Sequence, residues 1–75
     1  MTTMDASPTE AAEPEADALT IGRRIRQLRT ERGITLDELA TAVDRAASQL
    51  SMIENGKREP KLTLLQAIAR ALGTT

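Results

Sequence analysis

The 75-residue chain contains no cysteine, histidine, phenylalanine, tyrosine or tryptophan. Without cysteine there can be no disulfides, thiolate zinc sites or cysteine nucleophiles. Without histidine, the commonest metal ligand and the commonest general base are both missing. A chain this short also leaves little room for a concave pocket of the usual size, roughly 300 Å³ or more. Carboxylate chemistry survives these absences, but together they argue against an enzyme and for a binding module, with no metal or cofactor expected. The apolar residues, 40% of the chain, are nearly all Ala, Leu and Ile, so a single small domain with an aliphatic core is the expected outcome.

Signals for targeting are equally scarce. The first residues are acidic and carry proline, with neither a cationic stretch nor an apolar one, so they are not expected to act as a signal peptide. No apolar run approaches the ~20 residues needed to cross a bilayer. A soluble, cytoplasmic protein is expected.

The net charge of −1 conceals an asymmetry. Residues 1–18 carry Asp5, Glu10, Glu13, Glu15 and Asp17 and no Lys or Arg. Residues 19–75 carry all ten basic side chains against six acidic ones. The overall pI near 5.3 therefore hides a basic domain suited to a polyanionic partner. Residues 1–18, with Pro8 and Pro14 and no apolar periodicity, read as a disordered acidic tail.

Beyond the tail, helical periodicity dominates and no strand pattern appears. Thr20 is placed to N-cap a first helix with Ile21, Ile25 and Leu28 on its apolar stripe, ended by Gly33. Thr35 and Glu38 form a capping box for a short second helix whose stripe is Leu36, Leu39, Ala40 and Val43. Asp44 and Arg45 make a tight turn. A third helix over about 46–55 turns Ala46, Leu50 and Ile53 inward and Ser48, Ser51, Met52 and Asn55 outward. Asn55-Gly56 ends it, and Lys57, Arg58, Glu59 and Pro60 form a basic loop. A fourth helix from about Lys61 is expected to bury Leu62, Leu65, Ile68, Ala69 and Leu72, with Gly73 as its cap. Two short helices joined by a tight turn in a basic helical domain make a helix-turn-helix candidate.

Particular residues sharpen this. The runs Thr35-Leu36-Asp37-Glu38-Leu39-Ala40 and Leu50-Ser51-Met52-Ile53-Glu54-Asn55-Gly56-Lys57-Arg58, then Pro60, with Arg26-Gln27-Leu28-Arg29 before them and Ile68-Ala69-Arg70-Ala71-Leu72-Gly73 after, resemble the phage Cro and repressor proteins of the XRE family. The resemblance covers residues 20–73. It implies an all-α bundle of four to five helices with a lambda repressor-like helix-turn-helix, the third helix lying in the major groove of double-stranded DNA. It implies base-reading positions at Ala47, Ser48 and Met52, with Gln49 and Ser51 beside them. Phosphate contacts are implied at Thr35, Leu36, Asn55, Lys57 and Arg58, and a structural salt bridge between Arg29 and Glu54. It further implies the N-terminal part of a longer transcriptional regulator that acts as a homodimer, through regions missing here or weakly through this domain.

The departures from the family pattern lie in and after the turn. Asp44 stands where Gly is usual, Arg45 where a small apolar residue is usual, and Ala46 where Ser or Thr often caps the reading helix. The missing cap costs about 0.5–2 kcal/mol. Arg45, displaced to the turn, is placed to reach a phosphate or a base at the edge of the site. The reading face holds no Arg or Asn in its first two turns, and Gln49 alone, near the flank of the helix rather than its centre, can pair bidentately with a base edge, so readout by DNA shape is expected to supplement it. Two alternatives stand beside this reading. One is a protein-interaction module that keeps the fold with little specific DNA binding. The other gives the acidic tail a role, as an arm that covers the basic face and competes with DNA.

Overall fold

The computed structural model describes residues 17–74. Four helices make up the fold among the described residues: α1 (Ala18–Glu31), α2 (Leu36–Ala42), α3 (Ala47–Glu54) and α4 (Leu62–Ala71). None is long and apolar enough to cross a membrane.

The start of α1 lies earlier than the sequence suggests. Asp17, not Thr20, is the N-cap, in extended backbone (φ −78°, ψ 171°), and its carboxylate accepts a 2.8 Å hydrogen bond from the Thr20 amide. Asp outranks Thr as a cap, and the three-residue spacing brings Thr20 to the amide that the cap satisfies. That hydrogen bond from the backbone holds the Asp17 carboxyl below its ordinary range. Asp17 and Ala18 thus belong to the domain, and residues 1–16 of the expected tail lie outside the described residues. The cap of α2 has the expected form: Glu38 N–H donates to Thr35 Oγ1 at 3.0 Å, and the Thr35 amide donates to the Glu38 carboxylate at 2.8 Å.

Nine aliphatic side chains form the core: Ile25, Leu39, Ala40, Val43, Leu50, Ile53, Leu64, Ile68 and Leu72. Two inward assignments are corrected. Ala46 is exposed because it is the extended N-cap residue of α3, off the helical wheel that placed it inward. In α4, Leu62 is 69% exposed while Leu64 is 5% exposed. Leu62 occupies the first helical position, and the deep stripe runs Leu64, Ile68, Leu72, so Ile68 and Leu72 are buried as expected and Leu64 takes the place assigned to Leu62.

All four helices close in the same way, with the amide two residues past the C-cap bonded five residues back and the one before it bonded three back. The left-handed residue in this closure is glycine in α1, α3 and α4 but Asp44 (φ 59°) in α2. Asp tolerates that region only at some cost, because its Cβ crowds the carbonyl. Asp44→Gly is expected to raise stability by about 0.5–1 kcal/mol in a denaturant titration. An unchanged midpoint would mean that the turn is unstrained.

At the α1–α3 crossing the two backbones touch. A Cβ built on Gly22 would lie 2.7 Å from the Glu54 carbonyl oxygen and closer still to that of Ile53. At the other end of this interface, a Cβ on Gly56 would lie 2.8 Å from Leu19 Cα. The start of α1 is therefore packed directly on the loop that follows α3.

Candidate nucleic-acid interface

The position of α3 is set by an ion pair as well as by the core. Arg29 Nε donates to Glu54 Oε2 at 2.6 Å and Nη2 to Glu54 Oε1 at 3.1 Å. The third arm, Nη1, donates to the Ile34 carbonyl at 2.9 Å. One guanidinium thus ties the last residue of α3 to the α1–α2 connection, in the planar bidentate geometry that lysine does not provide. The side chains are only 13% and 6% exposed, and the bond to Glu54 raises the affinity of Arg29 for its proton. This is the only ion pair among the described residues.

With its core side held, α3 turns a small polar face outward. Ser48 and Met52 are exposed, Met52 to 42%, and Ser51 is half-buried beside them. Gln49 is half-buried and faces a cleft rather than the middle of this surface. Ala47 is packed against the core, so its contribution to an outward face is at most one edge of a methyl group. Asn55 is exposed but folds back, its Nδ2 donating to the Ser51 carbonyl at 2.9 Å, which leaves its amide oxygen outward.

Cations flank this face. Lys57 and Arg58 are exposed in the loop past α3, and Arg45 is exposed in the turn before it, with Nη1 on the Asp44 carbonyl at 3.2 Å. Arg45, Arg58 and Lys61 converge on a polar cleft of about 210 Å³ together with Gln49, Glu59 and Thr63. The α2 end is less open. Its capping box uses the Thr35 amide and one lone pair of the Thr35 hydroxyl, whose O–H remains able to donate, while Asp37 and Glu38 add carboxylates and Leu36, half-buried on the core, offers its backbone N–H.

Residues of α1 and α4 line an open groove of about 320 Å³, among them Ile21, Ile25, Leu28, Leu65 and Ile68. It is larger than the sequence led us to expect, but it is almost wholly apolar and gathers no catalytic groups. No cluster of metal-ligating side chains occurs among the described residues.

Three features of this surface escape sequence reasoning. Gly22 sits in a run of good helix formers, and an isolated glycine there is the only signal of close approach. Lys61 and Thr63 join Arg45 through tertiary packing across the end of α3, which no local spacing encodes.

Comparison with known proteins places this arrangement. The family described as helix-turn-helix matches residues 25–75. The immunity repressor of Bacillus phage phi105 is 40% identical over 55 residues, which are 73% of this chain and 38% of that protein. Multiprotein-bridging factor 1 of Candida albicans is 34% identical over 73 residues, 97% of this chain and 48% of that protein. The crystal structure of the clp gene regulator ClgR from Corynebacterium glutamicum aligns with a TM-score of 0.77 at 33% identity, covering 85% of this chain and 82% of that one. The chain thus spans less than half the length of either curated relative.

Proposed function

Because the chain belongs to the XRE-type helix-turn-helix family, whose matched relatives include transcriptional regulators, we propose that it binds double-stranded DNA in a sequence-specific manner with α3 in the major groove. One observation carries the reading: the exposed Ser48–Met52 face of α3 lies between cations at both ends, Arg45 before it and Lys57 and Arg58 after it, none of them in an ion pair among the described residues. Unpaired cations beside a shallow polar helix face match a phosphate backbone on either side of a groove.

In this reading Ser48 and Ser51 bond to base edges and Met52 packs on thymine methyl groups. Lys57, Arg58 and Arg45 hold phosphates, with the Leu36 amide and the Asn55 side chain as lesser contacts. Arg29 and Glu54 touch no DNA and fix the angle of α3. Direct readout is thin, so sequence-dependent shape contributes to discrimination. In the whole protein a homodimer reads two half-sites about 34 Å apart.

Reversing both loop charges (Lys57→Glu with Arg58→Glu) tests the anchoring. Affinity is expected to fall roughly tenfold or more on every duplex, and the slope of log affinity against log salt to drop by about 2. Unchanged affinity would sink the anchoring role. Selection from a random duplex pool at two salt concentrations then tests readout: an enriched inverted repeat supports a dimeric regulator, and no enrichment leaves only a basic surface.

A second reading, a protein-interaction module, is favoured by the match of 97% of the chain to a protein named for bridging. Indifference of DNA affinity to the charge reversals, with no sequence enriched, would turn the assignment that way.

A further inference from the structure

We propose that the acidic N-terminal segment, residues 1–16, is an intramolecular competitor that occupies the cationic loop after α3 and lowers the affinity of the domain for DNA. This rests on the DNA-binding reading and adds a regulatory element to the same surface.

The first observation is where the segment enters the fold. It joins α1 at Asp17, and Leu19 two residues later lies against Gly56, whose Cβ position is 2.8 Å from Leu19 Cα. Gly56 is followed directly by Lys57 and Arg58. The acidic segment therefore begins beside the two cations assigned to the phosphate backbone, rather than across the domain from them.

Charge complementarity is the second. Residues 1–16 carry Asp5, Glu10, Glu13 and Glu15 and no basic side chain. Lys57, Arg58, Arg45 and Lys61 are all exposed, and none is in an ion pair among the described residues. Asp17 itself is committed to capping α1 through Thr20, so it competes for neither role.

Reach is the third. At up to about 3.6 Å per residue, Glu15 lies within roughly 7 Å of Asp17 along the chain and Asp5 within roughly 43 Å. All four carboxylates can meet Lys57 and Arg58. A tethered anion acts at an effective concentration in the millimolar range, enough to displace weak phosphate contacts while yielding to a well-matched operator. Because tail and DNA exclude one another, the competitor lowers the affinity for every duplex by the same factor, so weak non-specific complexes fall below occupancy while a tight operator complex persists.

The test compares the full chain with its full-length variant Asp5→Asn, Glu10→Gln, Glu13→Gln, Glu15→Gln, which leaves every described residue unchanged. The neutral variant is expected to bind a random-sequence duplex about tenfold more tightly at low salt, the ratio approaching one as salt screens both proteins. In the absence of DNA, the amide resonances of Lys57 and Arg58 are expected to differ between the two proteins while those of the α1–α4 core coincide. Equal affinities at every salt concentration, or identical loop resonances, would overturn the proposal. If neither protein binds duplex DNA, the regulator reading fails by itself, and the loop resonances still decide: a shift upholds the contact, and coincidence removes it.

Discussion

Gly22→Ala is expected to cost most of the stability of the domain. Alanine normally improves a helix interior by about 1 kcal/mol over glycine. Here the added methyl meets the carbonyls of Ile53 and Glu54, which are backbone atoms held by α3 and by the Arg29 pair. No rotamer change relieves such a contact, so the helices must separate. Overpacking costs about 1–3 kcal/mol even where side chains can adjust, and small domains have roughly 3–5 kcal/mol in hand. Steric exclusion outweighs propensity. A thermal melt followed by far-ultraviolet circular dichroism is expected to show an early or non-cooperative transition. A melting temperature equal to or above that of the parent would mean that α1 and α3 do not touch as described.

Glu54→Ala is expected to cost about 3–5 kcal/mol, the range for removing one partner of a buried pair. The penalty arises less from the lost attraction than from what remains, a guanidinium 13% exposed with its carboxylate gone. Replacing both partners (Arg29→Met with Glu54→Met) is expected to recover much of the loss, because no charge is then left buried. The measurement is a double-mutant cycle in denaturant titrations. If Glu54→Ala costs under about 1 kcal/mol, the pair behaves as an exposed one and does not fix α3. The glutamate bonds through both oxygens, so Glu54→Gln is expected to be intermediate.

How much of this was readable beforehand depended on how local the cause was. The Thr35–Glu38 box and the Gly33, Gly56 and Gly73 closures involve residues a few positions apart, and they were legible from spacing alone. The Arg29–Glu54 pair spans 25 positions, and only family resemblance pointed to it. Local reading failed where two local rules competed. Thr20 is an acceptable cap, but Asp17 is a better one three residues earlier. In α4 both Leu62 and Leu64 fit an apolar stripe, and packing into the shared core chose the second. Ala46 was placed inward by carrying the helical wheel into a residue that is not helical. The Gly22 contact and the cleft of Arg45, Arg58 and Lys61 depend on where whole helices cross, which composition and periodicity do not encode. The outward face of α3 was legible in outline, as was the place of Gln49 at its flank, while the burial of Ala47 and the cleft that Gln49 lines were not.

The backbone contact between α1 and α3 also limits how the domain can be cut. The reading helix is docked less by its partner across the turn than by a helix that precedes both, through Gly22, Leu19 and the Arg29 side chain. The two-helix motif is therefore not a transplantable unit. A peptide spanning α2, the turn and α3 would keep its capping box and its turn but lose the surface that orients α3, and grafts into other scaffolds must carry α1 with them.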